Sequence, residues 1–187
     1  MKIAAVYGSP DKKGNSASIT DAILRGAINN GHSIDRIYLH DIKMGNCLGC
    51  KNAGKIHQER YCIHNDEMTT EIIPKLIQTD LIIISSPVYM GHITGITKTF
   101  LDRWYTFCEE DFNIRFLPGK KFITVVTSGA SGEVFKNVTE YLDYWLSNFF
   151  KLEKVDQIHA GDLMGSGAIA EKKELLNRAY ALGKLIN

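Results

Sequence analysis

The sequence predicts an α/β fold, a parallel sheet covered by helices on both faces. Three observations predict it. Apolar runs suited to strands buried on both faces recur along the chain, at 2–7 (KIAAVY), 80–86 (DLIIISS) and 120–127 (KKFITVVT). Stretches with apolar residues at helical spacing lie between them. Glycine, proline and small polar residues gather where the runs end.

The elements follow in order. Residues 2–7 form the first strand. Residues 16–30 form a helix, because Ile19, Ala22, Ile23, Ala27 and Ile28 recur at helical spacing and Gly31 stops it. Residues 33–39 (SIDRIYL) alternate, as a strand nearer an edge does. Residues 40–65 show no periodicity and hold three cysteines. A second helix over 66–78 has Asn65 or Asp66 at its cap. The strand at 80–86 ends at Pro87, and 94–107 form a third helix. Residues 108–119 are polar and aromatic and close on the Pro118-Gly119 turn signal. A strand at 120–127, a long helix at 133–150, a weaker strand at 152–159 and a helix at 169–186 complete the chain. Strands alternating with helices in this way require a parallel sheet, and right-handed crossovers leave few topologies. The common solution is a flavodoxin-like three-layer sandwich with strand order 2-1-3-4-5. Ligands in such sheets sit beyond the carboxyl ends of the strands, near the reversal of strand order. That points to the loops after the first, third and fourth strands.

The whole chain, 1–187, reads as a single domain, with a cysteine-containing insertion at about 40–65 and an aromatic loop at about 107–119. Hydrophobic residues make up 44% and charged residues 23%, as in globular proteins. Repeats and low-complexity segments are absent from the sequence. A formal net charge of +1 argues against broad attraction to nucleic acid or to an anionic membrane. No stretch approaches the roughly 20 apolar residues that span a bilayer. The apolar run of MKIAAVYGSP ends too early for a signal peptide, so the expectation is a cytoplasmic protein. Its four cysteines then read as reduced thiols or ligands, not as a disulfide framework.

The first of the three loops is GSPDKKGNS, Gly8 to Ser16, between a buried strand and a helix start. A helix N-terminus offers unpaired N–H groups and partial positive charge, which suits a phosphate. Ser9, Asn15 and Ser16 add short polar side chains. The loop matches neither the G-K-[ST] of a triphosphate site nor G-x-G-x-x-G. A plainer alternative is that Ser16 caps the helix and the glycines only turn the chain. The second loop runs from Ser85 to Gly95. Pro87 restricts Ser86, Gly91 allows close backbone approach, and Tyr89 either stacks on a flat ring or packs on its neighbours. His92 reads as a solvated loop histidine before a catalytic one. The third loop, Thr127 to Gly132, is small and glycine-rich. That suits the edge of a heterocycle and equally a tight turn.

Taken together, GSPDKKGNS, SSPVYMGHITGITKTFLDRW and TSGASG resemble the NAD(P)H-dependent FMN reductase group of flavodoxin-like proteins, especially the branch of iron–sulfur flavoproteins. The similarity runs over nearly the whole chain. The resemblance implies non-covalent FMN, with NAD(P)H as electron donor. By matching position, Ser9, Asn15, Ser16 and Ala17 would hold the phosphate. Pro87, Val88, Tyr89, Met90 and Gly91 would line the ribityl chain and isoalloxazine, and Thr127, Ser128 and Gly129 would approach from the other side. It also implies a homodimer or dimer of dimers with the flavin near the interface. The branch carries a compact set of four cysteines. Here Cys47 and Cys50 are followed by Ala53 where the third is expected, then by Cys62, and Cys108 is distant. A four-iron cluster normally takes four cysteines, so the expectation is a protein without one. The thiols then read as a remnant loop, as a zinc site completed by His57 or His64, or as a redox-active Cys47–Cys50 pair.

The function expected from this reading is an FMN-dependent oxidoreductase. It would pass electrons from a nicotinamide to a small-molecule acceptor such as a quinone or flavin. No residue is assigned an acid–base role. The aromatic residues Trp104, Tyr105, Phe107, Phe112 and Phe116 either cover the flavin, form a dimer contact or pack in the core. The alternative is a flavodoxin-type electron carrier. Carriers that dock basic partners tend to be strongly acidic, and this chain is near neutral.

Overall fold

A computed structural model describes residues 1–50, 62–108, 113–115 and 119–187. Ala53, His57, Phe112, Phe116 and Pro118 lie outside the described residues. Five parallel strands carry the fold, in the order β2-β1-β3-β5-β6. They are β1 (Lys2–Tyr7), β2 (Ser33–Tyr38), β3 (Leu81–Tyr89), β5 (Lys121–Thr127) and β6 (Glu153–Ala160). Numbered without the short β4 (His92–Ile93), this is the expected 2-1-3-4-5. Successive side chains of a strand point to opposite faces. On β1, Ile3, Ala5 and Tyr7 therefore enter one core and Ala4 and Val6 the other.

The first core is closed by α1 (Asn15–Asn29) and α5 (Lys173–Leu185). Ile19, Ala22, Ile23 and Ala27 of α1 are all buried, as their spacing predicts, but Ile28 is exposed at the rim of the stripe. The two helices cross where a Cβ on Gly26 would lie 2.1 Å from the Tyr180 carbonyl and one on Gly183 would lie 1.9 Å from the Ile23 carbonyl. The second core takes α2 (Ile73–Ile77), α3 (Gly95–Asp102) and α4 (Lys136–Asp143) with their flanking turns.

Three predicted helices are less uniform than their periodicity suggests. The second begins as a wide π turn, Met68–Ile72, before α2. Pro74 has no N–H to give the carbonyl four residues back, which favours a locally altered register. The third tightens into a 3-10 turn over Arg103–Phe107. The fourth is a 3-10 turn, then α4, then a π segment over Tyr144–Phe149.

Pro87 does not end its strand. Ser85 gives its carbonyl to the Gly8 N–H at 2.8 Å, so the polar backbone of Ser85 faces β1. Pro87, two residues on, faces the same side, and β1 makes its last pair at Tyr7–Ser85. The missing N–H therefore leaves no ladder bond unmade. The strand continues to Tyr89 and folds back as β4 (His92–Ile93), adding an antiparallel hairpin. Met90 and Gly91 at the turn have φ of 49° and 80°. Two left-handed residues in a row are what a tight type I′ hairpin needs.

Arg103 ties the segment after β2 to the second core. Its side chain is fully buried and forms a two-pronged pair with Asp66, at 2.7 and 3.0 Å. The same guanidinium donates to the Gly45 carbonyl at 2.9 Å and to the Thr69 hydroxyl at 2.8 Å. Asp66 in turn accepts from the Thr69 N–H at 3.1 Å, so it is the cap of the second helix. Burial alone would raise the Asp66 carboxyl. The Arg103 guanidinium and the N–H groups of Gly45 and Thr69 outweigh that and hold it well below the usual carboxylate range.

Removing Arg103 leaves this carboxylate without its cation. Arg103→Leu is expected to cost about 3 kcal/mol of stability at pH 7, read from urea unfolding. The stability that Asp66 draws from Arg103 is complete above its unfolded pKa of about 4 and falls away as it protonates below. The gap between the two proteins should narrow as pH falls below about 4. A gap constant down to pH 2 would exclude this assignment.

Candidate functional site

The carboxyl ends of β1 and β3 meet through buried hydroxyls. Thr94, the cap of α3, donates to the Gly8 carbonyl at 2.7 Å, and its oxygen lies 2.7 Å from the Thr97 hydroxyl. The Thr94 N–H donates to Ser86 Oγ at 3.0 Å, and Ser85 Oγ donates to the Val6 carbonyl at 3.1 Å. A Cβ on Gly8 would stand 1.8 Å from Thr97 Oγ1 and 2.9 Å from the Ser85 carbonyl. Gly8 is thus fixed by close approach, not by a special φ.

Beyond this junction lies an open cleft. Ser9, Asn15 and Ser16 from the first loop, Pro87, Val88 and Tyr89 from the second, and Thr127, Ser128 and Gly129 from the third all line it. The loop after β6 adds Leu163, Gly165 and Ser166, and the first loop adds Asp11 and Gly14. The switch-point rule does not reach the β6 loop. Its composition, with Gly161, Gly165 and Gly167 directly after a strand, was the available signal.

The first loop is shaped for an anion. Gly14, extended at φ −67° and ψ 177°, is the residue before the first helical turn, and no side chain caps the helix. The Ser16 hydroxyl is therefore not the cap. Among the described residues nothing accepts from the backbone N–H of Asn15, Ser16 or Ala17, so three donors sit at the positive end of α1. Ser9 Oγ accepts from the Asp11 N–H at 3.1 Å, and Asp11 accepts from the Lys13 N–H at 2.9 Å. Asp11 also receives the Ser166 hydroxyl at 2.5 Å. These two bonds, the hydroxyl first, lower the Asp11 carboxyl. Lys12 turns away from the cleft to pair with Asp41 and to lie 4.8 Å over the Tyr38 ring.

Several expected residues fall outside the cleft lining. The Ala17 side chain is in the first core, which leaves only its backbone for a ligand. Met90 is fully exposed at the hairpin turn with Gly91 beside it, because both serve the reversal of the chain. His92 meets the Tyr141 ring edge-on, with centroids 4.7 Å apart, instead of pointing into the cleft. Trp104 and Phe107 are buried in the second core, and Tyr105 is exposed. The Asn15 carboxamide spans to the β6 loop: its Nδ2 donates to the Gly165 carbonyl at 2.9 Å and its Oδ1 accepts from the Ile169 N–H at 3.0 Å.

Cys47, Cys50 and Cys62 are partly exposed. Cys62 Sγ accepts from Arg103 at 3.5 Å, and Cys47 Sγ from the Gly49 N–H at 3.5 Å. His64 Nε2 donates to the Asn46 carbonyl, 3.0 Å away. Cys108 is buried in the second core, and burial pushes its thiol up to about 11. Such a thiol is a poor candidate for a thiolate ligand. Among the described residues no three histidine, cysteine or acidic side chains gather as a metal site. With Ala53 in the third position, the donor set does not match four-cysteine ligation.

A family model described as NADPH-dependent FMN reductase matches residues 1–151. An iron–sulfur flavoprotein of Archaeoglobus fulgidus is 33% identical over 103 residues, 55% of this chain and 45% of that protein. The chain thus spans about half the length of that relative. An FMN-dependent NADH:quinone oxidoreductase of Pelagibacter ubique is 24% identical over 181 residues, covering 87% of this chain and 90% of the relative. Among solved structures, an NAD(P)H:quinone oxidoreductase from Methanothermobacter marburgensis shares the fold, with a TM-score of 0.75 at 17% identity over 98% of this chain and 94% of that one.

The Gly8 junction can be tested without any ligand. Gly8→Ala is expected to lower stability by about 1–3 kcal/mol, read as a urea midpoint, through overpacking against Thr97. Adding Thr97→Ala, which removes the nearest atom, should recover part of the loss. Equal midpoints for Gly8→Ala and the unsubstituted protein would show that the contact is not limiting.

Proposed function

Because the chain belongs to the NADPH-dependent FMN reductase family, we propose that it binds FMN in this cleft and uses NAD(P)H to reduce a quinone, a flavin or a similar small acceptor. The observation that carries the reading is the trio of N–H groups at the start of α1, unpaired among the described residues, in a loop that lacks the G-K-[ST] of a triphosphate site and whose Lys12 is drawn away to Asp41. Such a cradle fits a monophosphate better than a triphosphate.

In this reading the phosphate takes the backbone N–H groups of Asn15, Ser16 and Ala17 and the hydroxyls of Ser9 and Ser16. Pro87, Val88 and Tyr89, with the Met90–Gly91 turn beyond them, flank the ribityl chain and one side of the ring. Thr127, Ser128 and Gly129 flank the other. The Tyr89 ring, about half exposed, is free to lie against a planar partner. Bound FMN would supply the redox chemistry, taking two electrons from the nicotinamide and handing them to the acceptor. The protein orients the ring and excludes water, and no side chain is assigned a proton-transfer step.

The single domain of 1–187 is expected to act as a homodimer or dimer of dimers. Exposed Tyr89, Met90 and Met164 close to the cleft are the apolar surface a second copy would cover. Among the described residues no helix is long and apolar enough to cross a membrane.

Two measurements test the proposal. FMN titration followed by flavin fluorescence should show binding, and Ser16→Asp, which puts a carboxylate in the cradle, should weaken it about a hundredfold. NADH or NADPH oxidation with a quinone acceptor should exceed the enzyme-free control. Binding without turnover would favour a flavodoxin-type carrier, and no binding would sink both readings.

A further inference from the structure

The loop after β6 and the start of the 3-10 turn that follows it, residues 161–169, run as a strap along one side of the cleft. At one end it is held to the third loop, where the Asp162 N–H donates to the Ala130 carbonyl at 3.1 Å and the Leu163 N–H to the Ser128 carbonyl at 3.1 Å. At the other end Asn15 holds it to α1, through the Gly165 carbonyl at 2.9 Å and the Ile169 N–H at 3.0 Å. Ser166 adds its bond to Asp11. Gly165 and Gly167 sit at φ of 89° and 77°, so the path depends on residues that tolerate left-handed backbone. Leu163, Gly165 and Ser166 line the cleft between these two moorings. The strap therefore bonds to both the first and the third loop.

We propose that Asn15 is a positioning residue for this wall and not a phosphate ligand through its side chain. Each end of its carboxamide makes one bond to the strap. Oδ1 cannot donate to an anion, and the one bond that Nδ2 makes is to a backbone carbonyl, which fixes the orientation of the group. Loss of the side chain would free Gly165 and Ile169 together. It would loosen a surface that the whole ligand shares, not the phosphate end alone. The inference rests on the FMN reading, and riboflavin separates the two, because it carries the same ring and ribityl chain without the phosphate.

The experiment compares FMN and riboflavin affinities by fluorescence titration in the unsubstituted protein, Asn15→Ala and Gly165→Ala. It also follows amide exchange at Ile169 in the flavin-free proteins. A strap role predicts that Asn15→Ala weakens both ligands by the same factor, about tenfold. Gly165→Ala, which strains the strap without altering α1, should show the same equal loss. Exchange at Ile169 should be faster in Asn15→Ala. Weaker FMN binding with riboflavin binding and Ile169 exchange unchanged would overturn the proposal and return Asn15 to the phosphate. If the unsubstituted protein binds neither flavin, the FMN reading fails on its own. Ile169 exchange then still decides the strap: faster exchange supports the tie and unchanged exchange removes it.

Discussion

The contact of Gly8 with the Thr97 hydroxyl is the constraint on which the site depends. It locks the end of β1 to the start of α3, and Thr94 and Ser86 carry the same junction to the end of β3. Parallel strands give direction to a sheet but do not fix the loops at its edge. Here buried hydroxyls satisfy backbone groups that would otherwise be unpaired where the ladder stops. The first and second loops therefore leave the sheet from one rigid point. The β6 strap then joins the first loop to the third, so the cleft is closed on the sides that strand pairing leaves open.

The electrostatics of the cleft follow from which charges are kept out. Lys12 is drawn to Asp41 and Tyr38, and Asp11 lines the cleft with its carboxylate engaged by the Lys13 N–H and the Ser166 hydroxyl. The end of α1 with its free N–H groups is then the backbone feature placed to attract an anion. That field is short-ranged, falling off within a turn of the helix. It rewards a ligand that is also held along its length, which the apolar and small residues of the second and third loops are placed to do.

The fold was legible because the three inner strands, β1, β3 and β5, are continuous apolar runs, and because the strand order follows from few allowed crossovers. The three switch-point loops were legible for the same reason. What escaped was set by side chains acting at a distance in sequence. Pro87 reads as a stop, and only the departure of β1 on that side shows why it is not one. Asn15 and Ser16 look alike as polar residues at a helix start. One turns out to reach a strap some 150 residues away and the other faces the cleft, a difference that no local pattern encodes. Trp104 carries no mark that separates a core aromatic from a ligand-facing one, since a strip of aromatics fits either use.

The flanks of the cysteine segment are fixed by the same ion pair that anchors the second core. These flanks, at Gly45 and Cys62, are both bound to the Arg103 guanidinium, which is itself fixed by Asp66 and Thr69. Asp66 also caps the helix that follows, so one buried ion pair serves the segment, the helix start and the second core at once. Protein groups thus bring the two flanks of the segment together, and the cation that does so is a side chain of the chain itself.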